Sequence, residues 1–369
     1  MTEVDAIVLV LLGLQQWEAF RLTRAMVRAT DGEEQHSEAT VSVVVSIRNA
    51  GAQWEPWWAA MKAQEWPSDT EIIVVDDGST DETPTLIDAA TRDAAPFSLV
   101  TLRAENSAPG KRDALALGVA QAKGDWLVFT DIDCLPASGS WAKALIGSAR
   151  GSDAVLGVSW PRQQPARAGG LLHAVQELDA MHIARSYVGW AERGKPYMGV
   201  GRNMAVKRSV FPGYSDEHAL ASGDDDMLIQ TLAARPEIRI AATATRGTQM
   251  DTTLPPTWSQ WRAQKRRHWT TAPHYTRGDQ WRLGRPRVYA LGIVIAAIAG
   301  VVLHNSLWIT GGALGCAWLG ELLNFRSITK ACQTPKTWRN RGGLLPLWSV
   351  WNGWVALTLL FKRQARDQW

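Results

Sequence analysis

The sequence is poor in cysteine and carries little net charge. Its 369 residues include three cysteines, Cys134, Cys316 and Cys332, which lie far apart and in no metal-ligand spacing. Neither a disulfide framework nor a zinc site is therefore indicated. The formal net charge of +3 is too small to favour a nucleic-acid partner. The length predicts more than one structural region.

Two signatures of nucleotide-cofactor binding are also absent from the sequence. A dinucleotide fingerprint needs Gly-x-Gly-x-x-Gly after the first strand, but the chain has Ser46-Ile47-Arg48-Asn49 there. Gly199-Val200-Gly201 comes late in the chain and lacks the third glycine. There is no phosphate-loop motif either, so a nicotinamide-dependent or ATP-dependent enzyme is disfavoured.

The amino-terminal segment lacks the basic stretch and the small-residue cleavage site of a signal peptide. Val4–Leu14 is apolar apart from Asp5, but it is shorter than the ~20 residues of a full membrane span. We interpret residues 1–28 as a marginal membrane anchor, with an amphipathic helix as the alternative, and the polar residues 29–40 as a linker. Three arginines after the apolar run place the next region in the cytoplasm by the positive-inside tendency; they are Arg21, Arg24 and Arg28.

Tryptophan is unusually abundant, with 20 Trp against 5 Tyr and 6 Phe, as expected of residues at a membrane–water interface. Residues 255–280 are predicted to form an amphipathic interfacial helix, on which Trp258, Trp261 and Trp269 share a stripe. Residues 281–369 are predicted to be a transmembrane region with runs near the short limit of a span. The three runs are Val288–Leu303, Leu307–Leu323 and Leu344–Phe361. The third run is either a crossing or a re-entrant segment, because basic residues lie on both sides of it.

Between these regions, β-branched runs alternate with helical stretches. Strands are predicted over Val41–Ile47, Glu71–Val75 and Phe97–Leu102, with a fourth ending at Asp131. This alternation predicts βαβ units and a mostly parallel sheet. Ligands bind at the carboxyl ends of the strands in such sheets, and polar residues follow the strands here. They are Arg48 with Asn49, Asp76 with Asp77, Lys111, and Asp131 with Asp133.

The pair Asp131 and Asp133 is the most informative of these groups. The two carboxylates are one residue apart at a strand end, so their side chains project to the same side. Mg²⁺ and Mn²⁺ prefer oxygen ligands and are commonly held by one or two carboxylates together with substrate phosphates. The sequence therefore predicts a site for Mg²⁺ or Mn²⁺ at this edge of the sheet.

These residues, in this order, resemble the motifs of glycosyltransferase family 2 with the GT-A fold. The resemblance covers about residues 41–270 and is to membrane-bound bacterial members. It implies an α/β GT-A catalytic domain over residues 41–254 and a nucleotide-diphosphate-sugar donor. The matching segments are Val41–Ile47, Val74–Asp81, Gly110–Leu115, Thr130–Asp133, Met198–Asn203, Gly223–Asp226 and Gln264–Trp269.

The resemblance also implies roles for individual residues. The donor would be bound by Arg48, Asp76, Asp77, Lys111, Asp131, Gln264 and Arg267, and the metal by Asp131 and Asp133. Asp225 would be the general base, with Asp224 as the alternative; adjacent carboxylates repel, which raises a pKa and suits a base. The acceptor side would comprise Gly201, Arg202, Asn203, Asp226 and Trp269.

The expected activity is inverting, metal-dependent sugar transfer to a lipid-linked or membrane-emerging acceptor at the cell inner membrane, with the catalytic domain in the cytoplasm. One alternative is a processive polysaccharide synthase. Such synthases usually carry Gln-x-x-Arg-Trp, whereas His268 follows Arg267 here and Trp269 comes one residue later; this favours adding one sugar or a few. The other alternative is a non-catalytic sugar-nucleotide-binding membrane protein.

Overall fold

The computed structural model describes residues 3–31, 37–104, 110–162, 170–214, 223–304 and 307–345. The strands are β1 (Val41–Ile47), β2 (Glu71–Asp76), β3 (Ser98–Arg103), β4 (Trp126–Phe129), β5 (Cys134–Pro136), β6 (Ala154–Leu156), β7 (Ser159–Pro161), β8 (Met204–Lys207), β9 (Ile240–Ala242) and β10 (Met250–Thr252). The α-helices are α1 (Glu3–Arg28), α2 (Gly51–Lys62), α3 (Thr83–Ala90), α4 (Lys111–Gln121), α5 (Trp141–Gly147), α6 (Leu171–Ala191), α7 (Asp224–Ala233), α8 (Trp258–Trp269), α9 (Arg277–His304) and α10 (Leu307–Ala331).

The main sheet has seven strands in the order β3-β2-β1-β4-β8-β6-β9. Strands β1 to β4 pair in parallel, so the predicted parallel sheet and its four strands are confirmed. Strand β8 pairs antiparallel with both β4 and β6. The β4–β8 register sets Phe129 opposite Met204, which brings the start of β8 beside the carboxyl end of β4.

Both faces of this sheet are buried, which explains the unbroken apolar strands. In β1, Val44 belongs to one hydrophobic core, while Val43 and Val45 belong to the other, because successive side chains point to opposite faces. Helix α4 lies so close to the sheet that a Cβ on Gly118 would meet Val44 at 2.7 Å. The strand ends therefore form a rigid platform.

A second sheet of three strands, β5-β10-β7, continues from the end of β4. Strand β5 begins at Cys134, directly after the paired aspartates, and Cys134 is in register with Thr252 of β10. The backbone N–H of Thr253 donates to the carbonyl of Asp133 at 3.1 Å. This small sheet thus fixes the backbone of the predicted metal site.

The amino-terminal helix α1 packs against α6, α9 and α10. Its later part buries Leu22, Ala25 and Met26, which is a protein contact that hydropathy counting did not anticipate. No helix in the described ranges is apolar over enough of its length to cross a bilayer. The anchor predicted over residues 1–28 and the transmembrane region over 281–369 are therefore unsupported as spans, although α9 and α10 do form helices there. The third predicted run, from Leu344, lies outside the described residues after residue 345.

Helix α8 lies within the predicted interfacial segment 255–280 and ends at Trp269, as predicted. The Trp258 and Trp261 rings lie together on it, with centroids 5.7 Å apart. Trp258 is exposed, whereas Trp261 is 2% exposed, and Lys265 forms an ion pair with Asp179 of α6. Part of the tryptophan stripe therefore packs against the protein, and an interfacial role of the helix stays a prediction.

A 3₁₀ segment after α10, Lys336–Leu344, packs against α6. Arg341 Nε lies 2.8 Å from Glu177 Oε2 of α6, and His173 Nε2 lies 3.2 Å from the other oxygen. The Glu177 side chain is 1% exposed, so its charge depends on these partners. The ion pair fastens the carboxyl-terminal helices to α6.

Replacing this arginine tests the attachment. Arg341→Ala should lower the free energy of unfolding by about 3 kcal/mol, because removing one partner leaves a buried carboxylate poorly compensated. Lys143→Ala is the matched control, since its partner Glu38 is largely exposed and exposed pairs contribute about 1 kcal/mol or less. Urea unfolding followed by tryptophan fluorescence measures both; equal losses would contradict the assignment.

Candidate active site

The loops after β1 and β2 are tied to each other at the carboxyl edge of the sheet. Asn49 adopts a left-handed backbone with φ 48°, its N–H donates to Ser79 Oγ at 2.9 Å, and its Oδ1 accepts from the Thr80 N–H at 2.8 Å. The Asp77 N–H donates to the Ile47 carbonyl at 2.8 Å. These bonds hold the polar residues of both loops in one fixed surface.

Three predicted donor-binding residues lie on this surface. Asp76 is buried; its Oδ1 accepts from the Ser79 N–H at 2.9 Å. Its Oδ2 accepts no hydrogen bond from the described residues and lies 3.7 Å from Arg103 Nε. Burial raises the pKa of Asp77, against the opposing charge of the exposed Arg48. The surface offers a buried acceptor oxygen flanked by cations, which suits N–H and hydroxyl groups of a ligand.

The predicted metal carboxylates meet a lysine from the start of α4. Lys111 Nζ lies 2.6 Å from Asp131 Oδ1. Burial opposes ionisation of Asp131, but the Lys111 charge and hydrogen bond outweigh it and lower the pKa of Asp131. For Asp133, burial and the neighbouring Asp131 charge raise the pKa. The pair is thus held close together at the cost of mutual repulsion.

The donor set of this pair fits a hard divalent cation. Ligand atoms of Asp131, Asp133 and Cys134 lie within 4.8 Å of one another. The Cys134 thiol is buried and lies 3.3 Å from Asp133 Oδ1, to which it can donate. Two carboxylates with further positions open to water or phosphate oxygens are the usual arrangement for Mg²⁺ or Mn²⁺, and Asp131 and Asp133 would hold the ion.

The three aspartates at the start of α7 lie in different surroundings. Asp225 Oδ2 accepts from the Gly201 N–H at 2.6 Å, and its Oδ1 accepts from the Asp226 N–H at 3.0 Å. Burial and the Asp225 charge raise the pKa of Asp226 well above its usual range, and Asp226 is hydrogen-bonded to Tyr275. Burial and Asp225 also raise the pKa of Asp224, to about 6. Asp225 is thus held in one orientation by two N–H groups, and Asp226 faces Tyr275. Asp224 is largely ionised at neutral pH but takes up a proton near pH 6.

The backbone brings the two acidic groups to the same edge of the sheet. The β4–β8 register sets Met204 opposite Phe129, so Gly201, whose N–H holds Asp225, lies beside the residues that follow β4. Lys111, 49% exposed, lies 2.6 Å from Asp131; desolvation opposes its charge, but the charges of Asp131, Asp225 and Asp133 raise its pKa to about 12. The predicted metal pair and the predicted base therefore lie near each other.

The segment before β8 includes one residue whose predicted role is wrong. Asn203 was expected on the acceptor side, but its side chain is 0% exposed. It accepts from Trp141 Nε1 at 3.0 Å and donates to the carbonyls of Val158 at 2.7 Å and Thr248 at 2.9 Å. All of its hydrogen-bonding groups are engaged in the core, so Asn203 holds the segment in place.

Helix α8 brings a residue to the site that sequence reasoning did not select. The His268 charge would act on Asp131; desolvation and the charges of Lys265 and Arg202 lower the pKa of His268, although its side chain is exposed. The ring is therefore neutral at physiological pH and can accept or donate a hydrogen bond. The position of His268 directly after the Gln-x-x-Arg motif is the sequence feature that could have identified it as a site residue. The roles of Gln264, Arg267 and Trp269, all half-buried on α8, stay predictions.

Comparison with known proteins agrees with this fold. Residues 42–211 match the family model Glycosyl transferase family 2. The probable glycosyltransferase YdaM of Bacillus subtilis (strain 168) is 24% identical over 295 residues, which are 73% of this chain and 66% of that protein; the match spans slightly less than two thirds of the relative's length. The mannosyltransferase PcManGT of Pyrobaculum calidifontis, solved with GDP-Man and Mn²⁺, is 20% identical with a TM-score of 0.59, covering 94% of this chain and 99% of that one.

These matches show a fold class and a similarity to one family. The structural likeness confirms the predicted α/β fold of GT-A type with a mostly parallel sheet. The match over residues 42–211 supports the predicted resemblance to glycosyltransferase family 2. The prediction of an enzyme of the transferase class is thereby confirmed.

The glycine that holds the predicted base gives a direct test of the site. A Cβ on Gly201 would lie 3.2 Å from Asp225 Cβ and 3.3 Å from its Oδ2, so Gly201→Ala should displace the carboxylate by a few tenths of an ångström. We expect turnover to fall about tenfold or more, because catalysis is sensitive to small misplacements, with little change in nucleotide affinity. Gly139→Ala is the control, since its Cβ would meet nothing within 4 Å. Unchanged kcat in Gly201→Ala would contradict the role of this contact.

Proposed function

We propose that the protein is an inverting, divalent-metal-dependent glycosyltransferase that takes its sugar from a nucleotide diphosphate sugar. The observation that carries the proposal is that Gly201, beside the end of β4 in the β4–β8 register, holds Asp225 at 2.6 Å, close to the Asp131 and Asp133 pair. A divalent ion held by Asp131 and Asp133 would bind the diphosphate end of the donor, and Asp225 would face the acceptor across the anomeric carbon. Such a separation of leaving group and base is what a single in-line displacement needs.

The donor would lie along the carboxyl edge of the sheet. The free Oδ2 of Asp76 supports a contact with a base N–H, and Asp77 and Arg48 flank it. A Mg²⁺ or Mn²⁺ ion bound at Asp131 and Asp133 would neutralise the diphosphate. The GDP-Man and Mn²⁺ complex of the Pyrobaculum mannosyltransferase, which shares the fold, supports the same class of donor here.

The chemical step assigns the proton to Asp225. An acceptor hydroxyl gives its proton to the carboxylate while its oxygen bonds to the anomeric carbon. The bond from that carbon to the β-phosphate oxygen breaks, and its electron pair leaves with the nucleoside diphosphate. The bonds from the Gly201 and Asp226 N–H groups hold the carboxylate in position before the acceptor arrives.

A panel of UDP-, GDP- and dTDP-sugars tests the activity. Purified protein should release the nucleotide of one base class, with Mn²⁺ or Mg²⁺ increasing the rate and EDTA abolishing it. Asp133→Asn should remove this stimulation while keeping the fold, since the carboxylate is at the rim. If no donor is turned over but nucleotide sugars still bind, the chain is a non-catalytic binding protein.

The same reaction with excess donor and a lipid extract distinguishes single addition from polymerisation. His268, and not a tryptophan, follows Arg267 and lies within electrostatic reach of Asp131, which supports transfer of one sugar or a few. We expect a product one sugar larger than its acceptor in mass spectrometry. A ladder or a high-molecular-weight polymer would establish the processive synthase.

The roles of the adjacent aspartates are separated by substitution and pH. Asp225→Asn should reduce transfer by about 10²–10⁴-fold, the usual contribution of a general base, and leave nucleotide affinity unchanged. Asp224→Asn should retain most activity. If Asp224 is the base instead, its substitution abolishes transfer, and wild-type activity falls as pH drops below about 6, because the raised pKa leaves it protonated there. Asp226→Asn is the control, since that side chain faces Tyr275.

The acceptor is proposed to be lipid-linked, and the enzyme to work at the cytoplasmic face of the inner membrane. Helix α1 exposes Ile7, Val10, Leu14 and Trp17, a spacing that places them on one helical face. At the end of this face, Arg21 lies over the Trp17 ring at 5.8 Å and Arg24 over the Phe20 ring at 5.7 Å. Apolar residues bordered by aromatic and basic ones suit the surface of an anionic bilayer.

Vesicle flotation tests this location. The protein should float with phosphatidylglycerol vesicles, and the double variant Ile7→Glu, Val10→Glu should reduce partitioning roughly tenfold or more, because each lost apolar contact is worth about 1.5–3 kcal/mol. Ala89→Glu with Ala120→Glu adds the same charge at exposed positions of α3 and α4 and is the control. Equal flotation of both double variants would argue against binding through α1.

A further inference from the structure

Arg202 lies where the backbone brings the base and the metal carboxylates together. The preceding N–H, from Gly201, holds Asp225, and the following residue, Asn203, is locked in the core by three hydrogen bonds. The antiparallel register that pairs Phe129 with Met204 places Arg202 opposite Asp131 when it is continued by two residues. The arginine is therefore positioned from both sides and faces the end of β4.

The Nε–H group of Arg202 lacks a hydrogen-bond acceptor among the described residues. The atom is buried and donates to no acceptor in the part of the chain that the structure describes. Asp131 is already paired with Lys111 at 2.6 Å, whereas within the described residues Arg202 makes no ion pair with Asp133, although each acts on the other's charge. A buried guanidinium donor without an acceptor is costly, and an anionic oxygen of a ligand would satisfy it.

We propose that Arg202 is a catalytic residue that stabilises the leaving β-phosphate, and not part of the acceptor side. The inference rests on the proposed function. In the proposed reaction, three substrate atoms would lie in line from Asp225 to the metal carboxylates. They are the acceptor oxygen, the anomeric carbon and the β-phosphate oxygen, in that order. The backbone of Arg202 follows Gly201, which holds Asp225 at the first end of this line, and the extended β4–β8 register places it opposite Asp131 at the last end.

The role follows from the electron movement in the transfer. As the bond from the anomeric carbon to the β-phosphate oxygen breaks, its electron pair stays on that oxygen and adds negative charge. The guanidinium stays protonated throughout and donates hydrogen bonds to that oxygen. These hydrogen bonds become stronger as the negative charge on the oxygen increases. Arg202 therefore contributes more to the transition state than to donor binding.

The experiment compares nucleoside diphosphates with monophosphates, because only the former carry the β-phosphate. UDP, UMP, GDP and GMP are titrated calorimetrically with Mn²⁺ into wild-type protein, Arg202→Met and Arg202→Lys. For the base that binds, Arg202→Met should weaken diphosphate affinity by roughly tenfold or more, leave monophosphate affinity within about twofold, and lower kcat more than it raises KM. Arg202→Lys, which keeps the charge, should lose less. Arg193→Met, outside the site on the Trp190 ring, is the matched control.

Other outcomes overturn the inference in recognisable ways. Equal weakening of both nucleotides, or loss of Mn²⁺ binding without nucleotide in electron paramagnetic resonance, would make Arg202 a structural counter-ion of Asp133. Unchanged nucleotide affinity with a raised KM for the acceptor would return it to the acceptor side. If wild-type protein binds no diphosphate at all, the proposed function itself fails and this inference with it.

Discussion

The antiparallel pairing of β8 with β4 is the constraint on which the site depends. Strand β4 delivers Asp131 and Asp133 at its carboxyl end, as any strand of a parallel sheet would. A parallel neighbour would bring another strand end to the same edge. The reversed strand instead brings its start, so that Gly201 and Arg202 arrive beside the aspartates. The Gly201 N–H then fixes Asp225 of α7, so that the proposed base lies beside the proposed metal carboxylates.

Charge balance explains how so many carboxylates coexist in one crevice. Lys111 compensates Asp131 directly and acts on Asp225 and Asp133 at longer range. Asp226 avoids the cost of a buried charge through its raised pKa and its bond to Tyr275. Within the described residues, Asp133 and Arg202 remain opposite charges that no ion pair joins, and a bound diphosphate would add a charge between them.

The helices outside the sheet determine how the crevice faces its surroundings. Helix α6 is the common support: Glu177 holds Arg341, and Arg185 lies 2.8 Å from Glu321 of α10. Helix α1 packs on α6, α9 and α10, so its exposed apolar face is fixed relative to the catalytic domain. A surface attached in this way would present the site to a membrane-borne acceptor in one orientation.

The sequence by itself determined the strands β1 to β4, the rim of polar residues at their ends and the ordered motifs of the family. These depend on local patterns, since apolar runs become buried strands and parallel strands align their carboxyl ends. The tertiary structure alone decided the rest. Asn203 looked like a site residue, yet three distant partners make it a core residue. Hydropathy measures how apolar a segment is but does not show which other segments pack against it. The contacts of α1 with α6, α9 and α10 and the burial of Trp261 therefore could not be predicted from it. His268 and Arg202 acquired their surroundings only when α8 and β8 were set against β4, because contacts between residues far apart in the chain leave no trace in local periodicity.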